Sequence, residues 1–588
     1  MNSDEGSSSA PLPEGSSQVI LGEGCEKTPT ASKRYQYSAI RNMKHHHEKH
    51  IRKHVARYRK PILMIALAAL VVAGGYEVIM RRVALLRQPP DFTRVVDENI
   101  YDPVKDAGAT VPFPITTIEQ TVFPNLTCSI TDYGAVPDGT TKNTGAFARA
   151  IEDCAGKGGG HVRVPAGKWL TGPIHFRSNI DLHLDQDAEI VFSTDYADYL
   201  PVVFSRFEGV EYENFSPPVY ANGVRHIALT GLGTLNGNGK ESWWNLDILK
   251  SVPVIFDMGK RGVPVRDRVF GTPEAGLRPT FIEFVNVRNV LIEDVTLTNG
   301  PMWTMHPLYT SDMIVRHVTV NTAPGRSTDG IDIDSSRNIL VEDSSFTTGD
   351  DAIVIKSGRD EDGWRVGKPS ENIVIRRNTV RDSHAAFAIG SEMSGDVRNV
   401  LVYGCSFADS QYGIRLKGTL LSGGTVENIA VENITMDNID FVPIQITTNY
   451  ETDLNTEPFT PPTFRDIDIR NIRATRASGS LSFLGLDRTV IDGVRLSDIT
   501  IDPRHAPVIR HVSNLTLSDI SVIPQNGVAE ITESGNVTFE NYACPPQNAA
   551  CLTLTGTGNT GIDIRQSGFT PKKVQLVSGA TIDALLTK

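Results

Sequence analysis

The chain has 588 residues, a formal net charge of −12, 40% hydrophobic and 21% charged residues, and six cysteines. This composition excludes a largely disordered chain, and the negative net charge argues against nucleic acid as the main partner. Six cysteines in so long a chain are too few for a disulfide scaffold. An anionic substrate is not excluded, because local basic residues can override the net charge.

The first 80 residues predict a cytoplasmic tail and a membrane anchor. Residues 1–60 read as a disordered tail, and their second part, 41–60, carries eight Lys/Arg and five His. An apolar run of 15 residues at 62–76 lies inside a predicted transmembrane helix at 61–80. Basic charge is heavier before the run than after it, so the positive-inside rule places the rest of the chain outside the cytoplasm. Cleavage of the segment as a signal sequence, giving a secreted protein, is the alternative.

Residues 81–127 are predicted to be a stalk and lead-in, and residues 128–588 a single repetitive β domain. An Asn followed by alternating apolar residues recurs along this domain, at Asn289, Asn338, Asn372, Asn399, Asn428, Asn514 and Asn536. The intervals from Asn338 to Asn428 are 34, 27 and 29 residues. Period-2 alternation inside a period of this length predicts a parallel β-solenoid of roughly ten coils or more, with inserted loops lining a cleft. A leucine-rich-repeat horseshoe is the rival, although its repeats are more uniform.

The cysteines suggest two disulfides within this domain. Cys128 with Cys154, and Cys544 with Cys551, are the pairs that lie close in sequence. Cys405 falls inside a strand pattern, where we expect a buried free thiol.

Three acids at solenoid spacing mark the candidate site. Asp329 precedes Asp350 by 21 residues, and Asp351 follows directly. In a stack of coils of that length, these positions lie on neighbouring rungs, roughly 4.8 Å apart. Asp350 and His384 each follow a ladder Asn by 12 residues, so His384 is expected beside the acids.

Basic residues follow one coil further on. Arg415 and Lys417 are two apart on a strand and share a face, and Tyr450 comes 35 residues after Arg415. Crowded carboxylates can keep one acid protonated, so that it can donate its proton to the leaving oxygen of a glycosidic bond. The cations can neutralise the carboxylate of an acidic sugar. Each residue alone is more often structural, and a calcium site is the competing use of the acids.

These motifs resemble glycoside hydrolase family 28, the polygalacturonase family. The family's NTD, DD, GHG and RIK motifs are matched in order by residues 327–329, 350–351, 383–385 and 415–417. Ser327 replaces the first Asn, and Ser383 and Ala385 replace the two glycines. Segments such as GNGKESWW, NGPMWTMHP and IGSEMSG resemble the bacterial and plant-like branch that includes exo-acting enzymes.

The resemblance implies an all-β, right-handed parallel β-helix and inverting hydrolysis of α-1,4-galacturonan. It also implies roles for the matched residues: Asp350 as the general acid, Asp329 and Asp351 holding the attacking water, His384 supporting the acid, and Arg415, Lys417 and Tyr450 binding substrate. The loop carrying Arg206 and Glu208 is a candidate for closing one end of the cleft and producing exo action.

We therefore expect a monomeric polysaccharide hydrolase without a cofactor or bound metal. Three alternatives remain at this stage. They are a hydrolase of another pectin such as rhamnogalacturonan or xylogalacturonan, a non-catalytic polysaccharide-binding β-helix, and a calcium-dependent lyase.

Overall fold

The computed structural model describes residues 100–105, 111–450, 459–544, 548–567, 570–581 and 585–586. The chain divides into two compact units, Met1–Pro90 and Asp91–Lys588, and every described residue belongs to the second. The predicted tail and the predicted transmembrane helix at 61–80 lie outside the described residues. Within the described part, no helix is both long and apolar enough to cross a bilayer.

Most described residues wind into a coil with three strand-bearing faces. Face one is a 14-stranded sheet. Its strands are Ile174–His175, Val219–Asn222, Ile282–Val285, Met305–Leu308, Ile331–Asp334, Ile353–Lys356, Ala385–Ile389, Tyr412–Lys417, Val442–Thr447, Leu481–Leu484, Val508–Arg510, Ala529–Thr532, Leu552–Thr555 and Val574–Val577.

Faces two and three belong to one 24-stranded sheet. The strands of face two are Thr127–Ser129, Gly160–Val164, Ile180–Leu184, Arg225–Gly231, Arg288–Glu293, Ser311–Arg316, Arg337–Glu342, Ser370–Arg376 and Val397–Tyr403. Face three has Gly167–Thr171, Ala188–Phe192, Thr234–Asn236, Thr296–Thr298, Thr319–Asn321, Ser345–Thr347, Thr379–Arg381 and Ser406–Ala408. In later coils this sheet continues as Thr425–Asp437, Thr463–Ala477, Ile491–Pro503, Val512–Val522, Gly535–Tyr542, Ile562–Arg565 and Leu585–Leu586.

Neighbouring coils pair in parallel and in register. On face one, Ile331 pairs with Ile353, and Ile353 pairs with Phe387. These side chains point into one continuous apolar core, while alternate residues such as Asp332 and Lys356 point outward. The predicted parallel β-helix is therefore confirmed, and the period-2 pattern that predicted it is the in–out alternation of each strand.

The ladder asparagines lie at the corner near the start of several face-two strands and of the strand Thr425–Asp437. Asn338, Asn372, Asn399 and Asn428 have φ between 55° and 57°, a left-handed conformation in which Asn is favoured over most other side chains. Their amides also bond from coil to coil: Asn399 Nδ2 donates to Asn372 Oδ1 at 3.1 Å, and Asn428 Nδ2 to Asn399 Oδ1 at 3.1 Å. The asparagines thus form a hydrogen-bonded ladder from rung to rung.

Helices in the described chain lie at the first coil and beside face one. Helix α1 (Thr144–Gly156) packs its apolar stripe against the first coils. Helices α2 (Val252–Lys260) and α3 (Asp360–Val366) contact each other beside an antiparallel hairpin, formed by strands Val203–Phe207 and Val210–Asn214. This element is called the 203–214 hairpin below. Short 3₁₀ turns occur at Ile130–Tyr133, Tyr196–Tyr199, Trp243–Asn245, Ile248–Lys250, Val265–Asp267 and Pro571–Lys573.

One of the two predicted disulfides is wrong. Cys544 and Cys551 are bonded, as expected, and Cys405 is a buried free thiol. Cys128 and Cys154 are both buried free thiols. Burial of Cys154 inside α1, together with the adjacent Cys128 thiol, raises the pKa of Cys154 to about 12. Packing of the helix brings the two thiols together without a bond between them.

The described part of the predicted stalk packs on the β-helix. Strands Ile100–Tyr101 and Ile118–Glu119 pair with each other, and apolar residues of this segment cover an outward apolar stripe of face two. The stripe consists of Ile314, Leu340, Val374, Leu401 and Ala430. Outward-facing apolar residues on an otherwise polar face explain why the lead-in lies flat on the solenoid.

Candidate active site

The candidate site lies where consecutive face-one strands begin. Asp329 stands two residues before Ile331, and Asp351 stands two residues before Ile353. Gly330 N donates to Asp351 O at 3.0 Å, and His384 N donates to Asp350 O at 3.0 Å. The three acids and His384 therefore occupy three successive rungs, as the sequence intervals predicted.

Gly349 is required at this edge because two backbones approach closely. A Cβ at Gly349 would lie 1.7 Å from Gly325 O. Asp350 and Asp351 then follow in irregular backbone before the strand, where Thr348 Oγ1 donates to Asp350 O at 2.7 Å. Because they lie outside the strand, the two adjacent acids do not follow the alternation that would place their side chains on opposite faces.

Asp351 is the most strongly held of the three acids. Lys417 Nζ donates to Asp351 Oδ2 at 2.9 Å, and His384 Nδ1 lies 3.2 Å from Oδ1. The carboxylate is fully buried, which alone would raise the pKa of Asp351. Lys417 and His384 outweigh burial and hold this pKa well below its usual value, so Asp351 is an ionised base.

His384 connects the acids with the basic residues. Burial would lower the pKa of His384, but the carboxylates of Asp350 and Asp351 outweigh it and raise the pKa to about 9. Nδ1 lies 3.4 Å from Asp350 Oδ1, and Nε2 lies 3.3 Å from Arg415 Nη1. The ring also meets Tyr412 edge-on at 5.6 Å. The ring thus lies between the two carboxylates and the Arg415 guanidinium.

Arg415 and Lys417 form a basic site bounded by two tyrosines. The Arg415 guanidinium lies 3.9 Å from the Tyr412 ring centroid, and Arg415 Nε donates to Gln445 Oε1 at 2.9 Å. The Tyr450 ring lies 5.0 Å from both cationic groups. All predicted substrate-binding residues therefore meet at one place, and Tyr412 and Gln445 join them although the sequence did not single them out.

Asp329 is buried among other acids. Burial, Asp332 and Asp350 raise the pKa of Asp329 well above its usual value. Asp332 itself is fully buried, and neither of its carboxylate oxygens has a hydrogen-bond partner among the described residues. Burial raises the pKa of Asp332 as well. Asp332 was missed by sequence reasoning, although its place three residues after Asp329 on an outward strand position was a usable signal.

A buried cation compensates part of this acidity. Lys356 Nζ donates to Glu392 Oε2 at 2.9 Å, and it lies 3.7 Å from Asp332 Oδ1 and 4.8 Å from the Trp303 ring centroid. Arg359 Nη2 donates to the other Glu392 oxygen at 2.6 Å. This pair of cations shares Glu392, and none of the three was predicted, because their coils are joined by loops of unequal length.

The 203–214 hairpin is fixed over face one next to the acids. Arg206 Nη1 donates to Asp334 Oδ1 at 2.9 Å, and Ser205 Oγ donates to Glu283 Oε1 at 2.8 Å. His306 lies between Glu283 and Asp334, and both acids raise its pKa to about 9 against the effect of burial. All these charged groups are fully buried.

Glu208 lies at the turn of this hairpin and interacts electrostatically with Asp350. Burial raises the pKa of Glu208, while Arg359, 3.6 Å away, opposes the shift. Arg359 Nε also donates to Glu208 O at 2.9 Å. The turn of the hairpin is thus joined to the face-one wall at the acid cluster.

Donor atoms of Asp350, Asp351 and His384 lie within 4.8 Å of one another, which is the spacing of a metal site. The Lys417 ammonium already occupies one oxygen of Asp351 at 2.9 Å. Positive charge from Lys417 and Arg415 makes this cluster better suited to an anionic ligand than to a hard cation.

Comparison with known proteins identifies the family. The family model "Glycosyl hydrolases family 28" matches residues 271–544, which include the acids and the basic residues. A "Probable polygalacturonase" of Vitis vinifera is 31% identical over 387 residues, covering 63% of this chain and 74% of the relative. The chain belongs to glycosyl hydrolases family 28.

Other family 28 proteins and structures agree with this assignment. The "Exo-poly-alpha-D-galacturonosidase" of Dickeya chrysanthemi is 27% identical, with 72% of each chain covered. A crystal structure of an exopolygalacturonase from Thermotoga maritima superposes with a TM-score of 0.63 and 37% identity, covering 69% of this chain and 90% of that chain. This family 28 member is accordingly a glycosidase, and the resemblance noted in its motifs is confirmed.

Proposed function

We propose that this family 28 glycosidase hydrolyses α-1,4-galacturonosyl bonds of polygalacturonate and pectin. The observation that carries the proposal is the basic site of His384, Arg415 and Lys417 directly beside the acid cluster. Lys417 and His384 already contact Asp351, but Arg415 forms no ion pair with a described carboxylate. A polysaccharide with a carboxylate on each sugar supplies the counter-charge for Arg415, whereas a neutral glycan does not. The relatives named as polygalacturonase and exo-poly-α-D-galacturonosidase support the same substrate.

Asp350 is the general acid in this proposal. Its side chain is 37% exposed, so it can reach a leaving oxygen, whereas Asp351 is 1% exposed and engaged by Lys417. Asp351 is the ionised partner that accepts a proton from water, and Asp329 completes the water site. His384 donates to both adjacent acids and acts as a positioning residue. Water attack opposite the departing oxygen gives a single displacement with inversion.

The 203–214 hairpin supports exo action. It contacts face one at Glu283, at Asp334 in the coil of Asp329 and at Arg359 in the next coil, and its buried ion pair with Asp334 fixes it in place. A substrate lying along the stack can then extend freely in one direction only, so cleavage occurs near a chain end. Monomers or dimers are the expected products from polygalacturonate.

Product analysis tests this function. Purified enzyme should release reducing ends from polygalacturonate without an increase in ultraviolet absorbance, since a lyase would create an absorbing double bond. Chromatography should show monomer or dimer from the first time points. An early ladder of mixed oligomers would contradict exo action, and absorbance rising with product would contradict hydrolysis. If the enzyme does not cleave polygalacturonate but cleaves rhamnogalacturonan or xylogalacturonan, its substrate is another pectin.

We also propose that the enzyme is a monomer held at a membrane by residues 61–80, with its β-helix outside the cytoplasm. The apolar run and its basic flank support this location. Full-length protein should stay in the membrane fraction after alkaline carbonate washing, and a variant lacking residues 1–80 should not. Recovery of a shortened, soluble product from the full-length gene would show cleavage of the segment instead.

A further inference from the structure

Arg278 is a buried cation that lacks a counter-charge. Its side chain lies just before the face-one strand Ile282–Val285 and is 3% exposed. Nη1 donates to Pro301 O at 3.0 Å, Nε has no hydrogen-bond partner among the described residues, and no described carboxylate forms an ion pair with the guanidinium. Burying a guanidinium without an anion is unfavourable, so this arrangement needs an explanation.

The other buried arginines of the same region do have such partners. Arg206 pairs with Asp334 at 2.9 Å, and Arg268 pairs with Asp362 at 2.9 Å, with all four side chains no more than 1% exposed. The region therefore compensates its structural arginines with carboxylates. Arg278 has no such carboxylate. A buried arginine without a protein carboxylate is expected where a ligand supplies the anion.

Arg278 also lies at the edge that carries the acids. Ile282 pairs with Met305, and Met305 pairs with Ile331, so Arg278 is two rungs, roughly 10 Å, before the coil of Asp329. Its side chain is close enough to interact electrostatically with Glu208, Asp329 and Asp350, and burial lowers the pKa of Arg278 to about 10. Arg415 lies two rungs beyond the coil of Asp351. The acids are thus flanked by a cation on either side.

The acids closest to Arg278 do not form an ion pair with it. Glu208 pairs with Arg359 at 3.6 Å, and Asp329 is buried among other carboxylates, which raise its pKa. A ligand anion can therefore supply the counter-charge that Arg278 lacks.

We propose that Arg278 binds the carboxylate of the galacturonate unit on the opposite side of the scissile bond from the unit bound by Arg415 and Lys417. This inference rests on the proposed galacturonan substrate. It assigns substrate recognition to two arginines, one on each side of the acids, so that the enzyme requires an unesterified uronate on both sides of the bond that it cleaves. Esterification of either carboxyl removes the anion and leaves the corresponding arginine buried without a partner.

Three methyl esters of trigalacturonate, each carrying one ester on a different sugar, test this assignment. For each enzyme variant, kcat/KM on each ester is divided by kcat/KM on the free acid. Wild type should show a penalty of about 10- to 100-fold for two of the three esters, the loss expected for a hydrogen-bonded charge pair. Arg278→Gln should abolish one of these two penalties and keep the other, and Arg415→Gln should show the reverse.

Controls separate recognition from folding. Arg266→Gln changes an arginine that is 84% exposed in the same segment, and it should reproduce the wild-type penalties. Arg278→Lys keeps the charge and should retain part of the penalty that Arg278→Gln loses. Because each ratio is taken within one variant, a general loss of activity or stability does not alter it.

The outcomes distinguish the two proposals. If Arg278→Gln keeps both ester penalties, or loses both, the role of Arg278 is overturned while galacturonan hydrolysis stands. If wild type cleaves neither trigalacturonate nor polygalacturonate, the proposed function itself fails.

Discussion

At the residue scale, different surroundings shift the pKa values of two aspartates of the site in opposite directions. Lys417 and His384 hold the pKa of Asp351 low against its burial, whereas burial and neighbouring acids raise the pKa of Asp329. One carboxylate is therefore charged and the other favours its neutral form, although their coils are adjacent. The charged Asp351 can therefore accept a proton from the attacking water, while Asp329 in its neutral form can hold that water by a hydrogen bond.

Asp350→Asn is expected to remove the general acid while preserving the fold. Activity on polygalacturonate should fall about 100- to 10,000-fold, the usual contribution of a positioned acid. The melting temperature should change little because the side chain is 37% exposed. Asp382→Asn, an exposed acid in the next coil, is the matched control and should be fully active. Wild-type rates in Asp350→Asn would remove Asp350 from the mechanism.

The charge of His384 predicts a pH-dependent contribution to stability. Its pKa is raised from about 6.5 in an unfolded chain to about 9. A raised pKa stabilises the fold fully below the lower value, and this stabilisation is lost as the pH rises through the higher one. The difference in melting temperature between wild type and His384→Gln should be largest near pH 6 and should shrink above about pH 9. A difference independent of pH would show that the imidazole is uncharged throughout.

The intervals in the sequence predicted the site residues that lie at the start of a face-one strand. They missed the residues whose position is set by the length of the loops between coils. Asp329, Asp350 and His384 follow from the coil register, and Arg415 follows from the next coil. Lys356 and Glu392 come together across coils joined by loops of unequal length, where no fixed interval applies. Arg278 carries no local signal, since only burial and the placement of its neighbours distinguish it from surface arginines.

At the element scale, the 203–214 hairpin is held by buried charge. Arg206 and Asp334 are both fully buried, and removing one partner leaves the other charge uncompensated. We expect Arg206→Gln to lower the free energy of unfolding by about 3–5 kcal/mol. Product profiles should also broaden from monomer or dimer toward oligomers, because a loosened hairpin no longer blocks the stack. Chemical denaturation and chromatography measure the two effects.

An exposed ion pair provides the comparison for this variant. Arg261, which directly follows α2, and Asp257 on α2 are 62% and 57% exposed, and Arg261→Gln should change stability by no more than about 0.5 kcal/mol. A stable Arg206→Gln enzyme with an unchanged product profile would show that the hairpin does not determine exo action.

The asparagine ladder is the second element open to test. Asn399 accepts from Asn428, donates to Asn372 and has a φ of 57°. Asn399→Ala should cost about 2–3 kcal/mol, from backbone strain and lost hydrogen bonds together. Asn399→Gly relieves the strain but not the hydrogen-bond loss, so it should recover part of this cost. Equal stability of the alanine variant and wild type in denaturant would exclude a ladder contribution.

At the scale of the whole molecule, repetition made the fold predictable. The alternating apolar residues and the recurring asparagines mark each coil independently. An irregular interval between two coils therefore does not affect the assignment of the other coils. Two features escaped this reasoning because they are not periodic. The described residues 100–105 and 111–119 cover an outward-facing apolar stripe of face two. Cys128 and Cys154 are near in sequence yet remain thiols.

The anomeric configuration of the first product tests single-displacement hydrolysis at the acid cluster most directly. Proton NMR of trigalacturonate hydrolysis, recorded before mutarotation, shows which anomer appears at the new reducing end. Attack by water opposite the departing α-linked oxygen predicts that the β anomer accumulates first. Initial accumulation of the α anomer would require a covalent intermediate and would contradict the assignment of Asp351 and Asp329 to a water molecule.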